Sequence, residues 1–507
     1  MSACDGASSE TAPESTSSAM ESTPVSFGQK LAFGFGMLAN QMFPAALGIF
    51  FVVLVDGLGF SPLAWGFIAF APRLFDAITD PIMGFISDNT RSRWGRRRPY
   101  VLIGGVLLGI AYVAMWQLYK ENSLTFNFVY FMGWSLVFYL GLTIFSVPYV
   151  AMGYEMSDDF HERTSIMAVA QFIGQWAWVI APWFWVALYS PDWFPDPESV
   201  KAVADGVADA ELSAAPDMGV RQMAVWVAIP CTLCAIIPAI FIKSKSTVDR
   251  DDYKPINFGS VVGSLGEIAR SAIESLKIRQ FRKLAFATFL IFNSFNMIAS
   301  FTFFIIKFHL FSGDESKLGN WPAMHGCVGA LITSFLVIPI VAAMAKKIGK
   351  KRAFIVSQSV SIIGYILFWF LFVPGKPWMF LFALPFHSFG IGGLFTLMMS
   401  MTADVCDFDE LKTGQRREGM LGAVYWWMVK FGTAFAGLLG GLIMWFVGFD
   451  AGAVTDSSLT GLRAAYSLVP IAGVIGAVLI MWTYDITEES AEEVRQQLAM
   501  RTDAPDA

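Results

Sequence analysis

Three ionisable side chains, Arg73, Asp76 and Asp80, stand close together in the otherwise apolar stretch FAPRLFDAITDPIMGF. Their i, i+3, i+7 spacing places all three on one stripe of a helix. A charged group at mid-bilayer costs about 2.5–3.5 kcal/mol on insertion scales. Three such groups oppose insertion unless they pair or line a wet cavity. The bland reading is a buried Arg–Asp pair that locks helix packing, but it leaves the second carboxylate without a purpose. Two inward-facing carboxylates suit a hard monovalent cation such as Na⁺, and crowded carboxylates can also share and hold H⁺. Asp76 and Asp80 are therefore the candidate cation ligands.

A second isolated charge, Lys430, lies in YWWMVKFGTAFAG about ten residues from the inner end of its helix. Snorkelling to the interface is the alternative for such a lysine. Its depth favours a cavity-facing cation that serves a carboxylate or a solute oxygen. Lys307, near an outer helix end, is expected to snorkel. The segment ADVCDFDELKTGQRREG carries Asp404, Asp407, Asp409 and Glu410 ahead of Arg416, Arg417 and Glu418. With Arg163 from the matching turn of the first half, it reads either as a solvated charged turn or as an inner gate that breaks when that side opens. His309, His325 and His387 are scattered and expected to be packed or hydrogen-bonded. Cys231 and Cys234 lie inside a span, where redox or zinc work is not expected.

These residues must be positioned by membrane helices. The 507-residue chain is 55% hydrophobic and 15% charged, with 47 Phe, 17 Trp and 24 Met, and its mean hydropathy is +0.55. Soluble domains run near 25% charged. Five cysteines are too few for a secreted disulfide scaffold, and a net charge of −6 argues against nucleic acid as a partner. A span needs about 20 apolar residues. Twelve such runs occur, near 30–55, 62–86, 99–118, 126–150, 165–189, 221–242, 284–308, 322–345, 353–373, 377–403, 420–448 and 461–484. They are continuous rather than alternating, which predicts an all-α membrane protein and not a β-barrel.

Lys and Arg crowd loops 2–3, 6–7, 8–9 and 10–11, and the positive-inside rule then places both termini in the cytoplasm of a multi-pass plasma membrane protein. Residues 1–27 are Ser/Thr-rich and acidic and are expected to be a disordered tail; 485–507 form a second tail. In the linker 243–283, Phe258, Val261, Leu265, Ile268, Ala272 and Leu276 recur at helical spacing and predict an amphipathic helix. The bundles are expected at 28–242 and 284–484. Loop 2–3 (RSRWGRRRPYVL) and loop 8–9 (MAKKIGKKRAFIV) align Gly95 with Gly349, Arg96 with Lys350, Arg98 with Arg352 and Tyr100 with Phe354, each 254 positions apart. The same offset relates Arg163 to Arg417. Two sites at one offset indicate a parallel repeat of six helices, the arrangement of the major facilitator fold.

RLFDAITDPIMGFISDNTRSRWGRRRPYVLIG and ADVCDFDELKTGQRREGM resemble the two signatures of the glycoside–pentoside–hexuronide:cation symporter family, and Lys430 falls where that family keeps a helix 11 lysine. The resemblance spans about 28 to 484. It implies that Asp76 and Asp80 take the helix 2 cation-site positions and that Thr143 takes that of a threonine ligand. The family's helix 4 aspartate falls on Ser146, its helix 1 aspartate on Gln41 and its helix 5 arginine on Gln171. Ser146 removes one negative charge from the cation site, which tilts the coupling ion toward H⁺ over Na⁺. The two glutamines keep hydrogen bonding to hydroxyls without charge. Arg73, Trp176, Trp178, Phe395 and Trp426 complete the candidate solute pocket.

The expectation is thus a cation-coupled symporter of a sugar or glycoside-like solute, working by alternating access as a monomer in a bacterial inner membrane. No cofactor and no enzymatic activity are expected. The histidines do not cluster, and no G-x-x-x-x-G-K-[ST] phosphate loop occurs. Transport of an amphipathic solute such as a lysolipid is the first alternative, and a membrane sensor without transport the second.

Overall fold

The computed structural model describes residues 25–157, 159–207, 211–243, 246–248, 255–414 and 417–502. Most of the expected N-terminal tail, and Arg416 of the expected gate, lie outside them. The elements are α1 (Phe27–Asp56), α2 (Pro62–Asp88), α3 (Arg98–Met115), α4 (Leu124–Glu155), α5 (Phe160–Ile180), α6 (Trp183–Leu188), α7 (Pro197–Ala204), α8 (Pro216–Phe241) and α9 (Phe258–Lys277). They continue with α10 (Arg279–Phe304), α11 (Trp321–Ile332), α12 (Ile338–Ile348), α13 (Lys350–Leu371), α14 (Leu384–Thr413), α15 (Glu418–Phe446), α16 (Asp456–Trp482) and α17 (Glu488–Thr502).

Among the described residues, eleven helical stretches are long and apolar enough to cross a membrane. Among the twelve expected spans the one outside that set is α2, whose 27 residues have crossing length. Its hydropathy is lowered by Arg73, Asp76 and Asp80, the same charges that single it out chemically. Four expected spans are interrupted, the tenth where the 3₁₀ stretch Pro377–Phe382 gives way to α14. The fifth breaks between α5 and α6 around Pro182, which has no N–H to continue the ladder. The seventh ends in a π-helical turn, Ile305–Leu310, and the eighth passes through another, Thr333–Val337, just before Pro339. Helix starts follow their caps: the Ser61, Ser123 and Asp159 side chains accept from the backbone N–H groups of Ala64, Phe126 and Glu162.

Two bundles result. One packs α1 against α5 and α8, α3 against α4 and α8, and α2 against α4; the other packs α10 against α15 and α16, and α13 against α14 and α16. The turn glycines that the 254-residue offset aligns, Gly95 and Gly349, both take positive φ, 87° and 81°. The linker helix α9 lies beneath α2, α10 and α15, so it touches both bundles. The predicted stripe is covered over most of its length, with Ala272 buried and Val261, Leu265, Ile268 and Leu276 half-buried, but Phe258 at its start is exposed. The segment after the last span is a helix, not a loose tail: α17 sits against α14, and Ile486, Ala491 and Val494 are buried there.

The bundles meet along α2 and α15. Close approach there depends on small residues. A Cβ on Gly437 would stand 2.5 Å from the Ala69 Cβ, and one on Gly441 would stand 2.7 Å from the Gly66 Cα. Replacing Gly441→Leu is therefore expected to hold this end apart while leaving each bundle intact. Cysteine pairs across α2 and α15 should cross-link readily in the parent and poorly in the variant. Equal cross-linking would mean that this seam is not a tight contact.

Candidate functional site

Asp76 and Asp80 sit one turn apart on α2 and face α4 and α15. Lys430 of α15 donates to Asp76 Oδ2 at 2.6 Å and also to Asp80 Oδ2. The Thr143 hydroxyl of α4 lies 2.7 Å from Asp76 Oδ1 and 3.1 Å from Asp80 Oδ1. Thr79 stands 3.0 Å from Thr143 and donates to the Asp76 carbonyl at 3.2 Å. The pair is graded in exposure: the Asp76 side chain is 7% exposed, Asp80 22% and Lys430 30%. Access to the site is therefore through Asp80 and Lys430.

Donor counting shows what the site lacks. A threonine hydroxyl carries one proton, yet both carboxylates approach it. The Thr79 proton serves the Asp76 carbonyl or the Thr143 oxygen, and neither carboxylate. Two carboxylates and one ammonium leave a formal charge of −1. One added proton or monovalent cation would neutralise the set and relieve the crowding of oxygens around Thr143.

Arg73, on the same stripe, does not pair with either aspartate. Its Nε donates to the Tyr139 hydroxyl at 3.1 Å, its Nη1 to the Thr433 carbonyl of α15 at 3.4 Å, and its guanidinium stands 5.9 Å from the Phe51 ring centre. The buried Arg–Asp lock is thus replaced by a Lys–Asp clamp. The reason is positional: Arg73 lies one turn nearer the α2 N-terminus, opposite Tyr139 and not opposite the carboxylates. Ser146 makes no side-chain hydrogen bond among the described residues and is not brought into contact with the carboxylates. It lies three residues beyond Thr143 on α4, and a serine is too short to reach back.

A polar chain joins α1 to α5. Trp178 Nε1 donates to Gln41 Oε1 at 3.0 Å, and Gln41 Nε2 donates to Gln171 Oε1 at 3.0 Å. Trp178, rather than Trp176, joins the glutamines, because Gln171 and Trp178 are seven residues apart and share a helical stripe while Trp176 is turned away. Trp176 and Trp426 are about half exposed, and Phe395 meets Phe292 edge-on with centroids 5.6 Å apart.

Two acids of the charged elbow between α14 and α15 are paired within their own bundle. Lys350, at the start of α13, holds Asp404 at 2.7 Å, and Arg417 holds Asp409 through two bonds of 2.5 and 2.6 Å. Asp407, Glu410 and Glu418 occupy the same elbow. Arg163 donates to the Ser157 carbonyl at 3.2 Å. In the first bundle the acid equivalent to Asp409 is Glu155, which pairs with Arg96 and, at 2.8 Å, with Arg97. Asp404 and Asp409 thus take their cations from the second bundle, and the partner of Asp404 comes from loop 8–9, not from loop 10–11.

The opposite end carries the cross-bundle ion cluster that sequence reading missed. Lys307 does not snorkel; it is 6% exposed. Its ammonium lies 2.7 Å from Asp56 Oδ2 on α1 and 2.7 Å from Glu315, and the Tyr189 hydroxyl donates to Asp56 at 2.7 Å. Burial follows from the π-helical turn that carries Lys307, which directs it toward the α1 end. Removing one partner of a buried pair costs about 3–5 kcal/mol. Lys307→Met is expected to lower the unfolding temperature, and Asp56→Asn/Lys307→Met to recover most of it; equal stability of parent and single variant would dismiss the lock.

The sequence offered signals for some of what it missed. Thr79 lies on the Asp76 stripe at i+3, and Tyr139 precedes Thr143 by one turn on the same face of α4. Asp56 and Glu315 offered none, since each stands at a helix end where a charge is ordinary. His309 is hydrogen-bonded to the Phe372 carbonyl at 3.0 Å, and His387 stacks on Phe295.

The family described as MFS/sugar transport protein matches residues 32–488. The Glucuronide carrier protein homolog of Escherichia coli (strain K12) is 24% identical, over 92% of this chain and 93% of its own length. An uncharacterized symporter of Synechocystis sp. is 26% identical, over 96% and 99%. Among solved structures, the inward open xylose transporter XylE from E. coli is similar in fold. It has a TM-score of 0.60 at 15% identity and covers 92% of this chain and 98% of XylE.

Proposed function

Because the chain belongs to the MFS/sugar transport protein family, we propose that it is a secondary active symporter carrying a neutral sugar or glycoside-like solute with one monovalent cation. The observation that carries this reading is the clamp of Lys430 on Asp76 and Asp80 across the bundle seam, one proton short around Thr143. The ammonium is a tethered stand-in for the travelling cation. A cation arriving on the more exposed Asp80 side competes with it, neutralises the carboxylates and loosens the tie between α2 and α15. Relative movement of the bundles then exposes the site to the other side.

The solute is held between the bundles. The Gln41–Gln171–Trp178 chain presents amide and indole groups that bond hydroxyls without adding charge, and this favours a neutral solute. Coupling requires that solute bind better once the cation is present, and linkage makes the benefit mutual. H⁺ is the favoured ion: Ser146 brings no charge to the site, and a proton needs only one of the crowded oxygens, whereas a metal cation needs a full oxygen shell. The end carrying the basic loops is placed in the cytoplasm of a bacterial inner membrane.

The test is uptake into proteoliposomes under an imposed pH gradient or an imposed Na⁺ gradient, with a panel of sugars, glycosides and lysolipids as competitors. Accumulation driven by the pH gradient and inhibited by a neutral glycoside is the expected result. Inhibition by lysolipid alone would reassign the solute, and gradient-independent equilibration of every solute would remove the coupling.

A further inference from the structure

A solvent-open groove with about 550 Å³ of space lies at the basic-loop end, between the linker helix α9 and the elbow joining α14 to α15, and Lys277, Arg279 and Lys412 along it are exposed. It lies apart from the Asp76–Asp80–Lys430 site and is unused by the transport reading. Its charged walls are Lys277, Arg279, Lys412 and Arg417 against Glu274 and Asp409. Asp409 is already occupied by two bonds from Arg417, and Arg279 is held loosely by Asp485 at 3.7 Å. Lys277 and Lys412 have no ion-pair partner among the described residues. Among the described lining residues four cations stand against two carboxylates, and Asp485 beside Arg279 adds a third.

Cations gathered around one hollow repel each other, and an anion placed among them offsets that cost. The volume falls within the ordinary range for organic ligands, about 300–1,000 Å³, and far exceeds what a halide needs. Val405, Phe408 and Ile278 supply an apolar part of the wall, which suits a phosphate attached to an organic body. The uncapped start of α10 lines the same hollow, and the last turns of α9 and α14 line it too and offset its positive potential, so the attraction for an anion rests on the side chains.

We propose that this groove binds a phosphate-bearing ligand, with Lys277 of the linker helix and Lys412 of the elbow as its principal cations. Either a soluble phosphorylated compound or the headgroup of an anionic lipid carries that chemistry. Because α9 also packs against α2, a ligand bridging Lys277 to Lys412 fastens the linker to the second bundle while the linker still touches the first.

The full-length protein, in nanodiscs of phosphatidylcholine alone or of phosphatidylcholine with phosphatidylglycerol, is titrated with inorganic pyrophosphate at matched ionic strength. Its unfolding temperature is followed. A saturable rise in phosphatidylcholine discs identifies a soluble ligand; a rise conferred only by phosphatidylglycerol identifies a headgroup. In either arm Lys277→Gln/Lys412→Gln is expected to weaken binding about tenfold or more, as the loss of a charge-assisted bond implies. Lys277→Arg/Lys412→Arg keeps the charge and is expected to retain binding, which separates a lost ligand contact from misfolding. No rise in either arm, or the same rise in the Gln variant, overturns the assignment.

Discussion

Asp80→Asn is expected to abolish cation-driven accumulation while leaving the protein inserted and folded. Asp80 is the more exposed of the two carboxylates, so the arriving cation meets it first. The amide keeps the size and can still accept from Lys430, but it carries no charge. With Asp76 as the one carboxylate left beside Lys430, the site is neutral without an added ion, and the drive to take one up is gone. A coupling free energy of ordinary size makes the solute bind about 5–150-fold better with the cation than without it. In the variant that ratio is expected to fall to about one. Asp76→Asn is expected to lose accumulation as well, with a larger cost to stability, because Asp76 is nearly sealed and engages both Thr143 and Lys430. The measurement is solute affinity with and without the cation, together with accumulation in proteoliposomes. A persistent cation effect in Asp80→Asn at normal expression would remove that carboxylate from the site.

Lys430→Met is expected to separate cation binding from transport. Without the tethered ammonium the two carboxylates have no competitor, and cation affinity should rise by about tenfold or more, the worth of one charge-assisted bond. Release becomes correspondingly slow, so turnover falls even though binding improves. In the cation-free protein the two carboxylates face each other across a single hydroxyl. Breaking a buried pair costs about 3–5 kcal/mol, and the partial exposure of Lys430 places this variant toward the lower end. Adding Asp76→Asn to Lys430→Met should restore the thermal stability without restoring transport. Unchanged cation affinity in Lys430→Met would show that the lysine is a packing residue and not a competitor.

Much of the architecture was legible because the bilayer leaves few choices. Long apolar runs have to be helices where no water can satisfy the backbone, and the runs in this chain match the observed helices to within a few residues at most ends. The 254-residue repeat was legible for a related reason: Gly95 and Gly349 mark turns whose backbone needs positive φ, and the basic residues after them follow in the same order. The interruptions at Pro182 and at the two π-helical turns were not legible from composition, since an apolar run continues through them. At the site, the stripe Arg73–Asp76–Asp80 and the solitary Lys430 stood out because lipid penalises each. The partnership did not: spacing put Arg73 nearest to the aspartates in sequence, and the fold gave them Lys430, 350 residues away from Asp80.

The sequence by itself determined that this is a helical membrane protein of two related halves, and which charged residues inside it required an explanation. The tertiary structure alone decided how those charges pair. It set Lys430 on both carboxylates, turned Arg73 to Tyr139, closed Lys307 on Asp56 across the opposite end and left Lys277 and Lys412 facing a shared hollow. Hydropathy and helical period act along a single chain segment, so they can be read locally. Ion pairing acts through space with an energy that depends on distance and burial, and neither exists until the helices have packed.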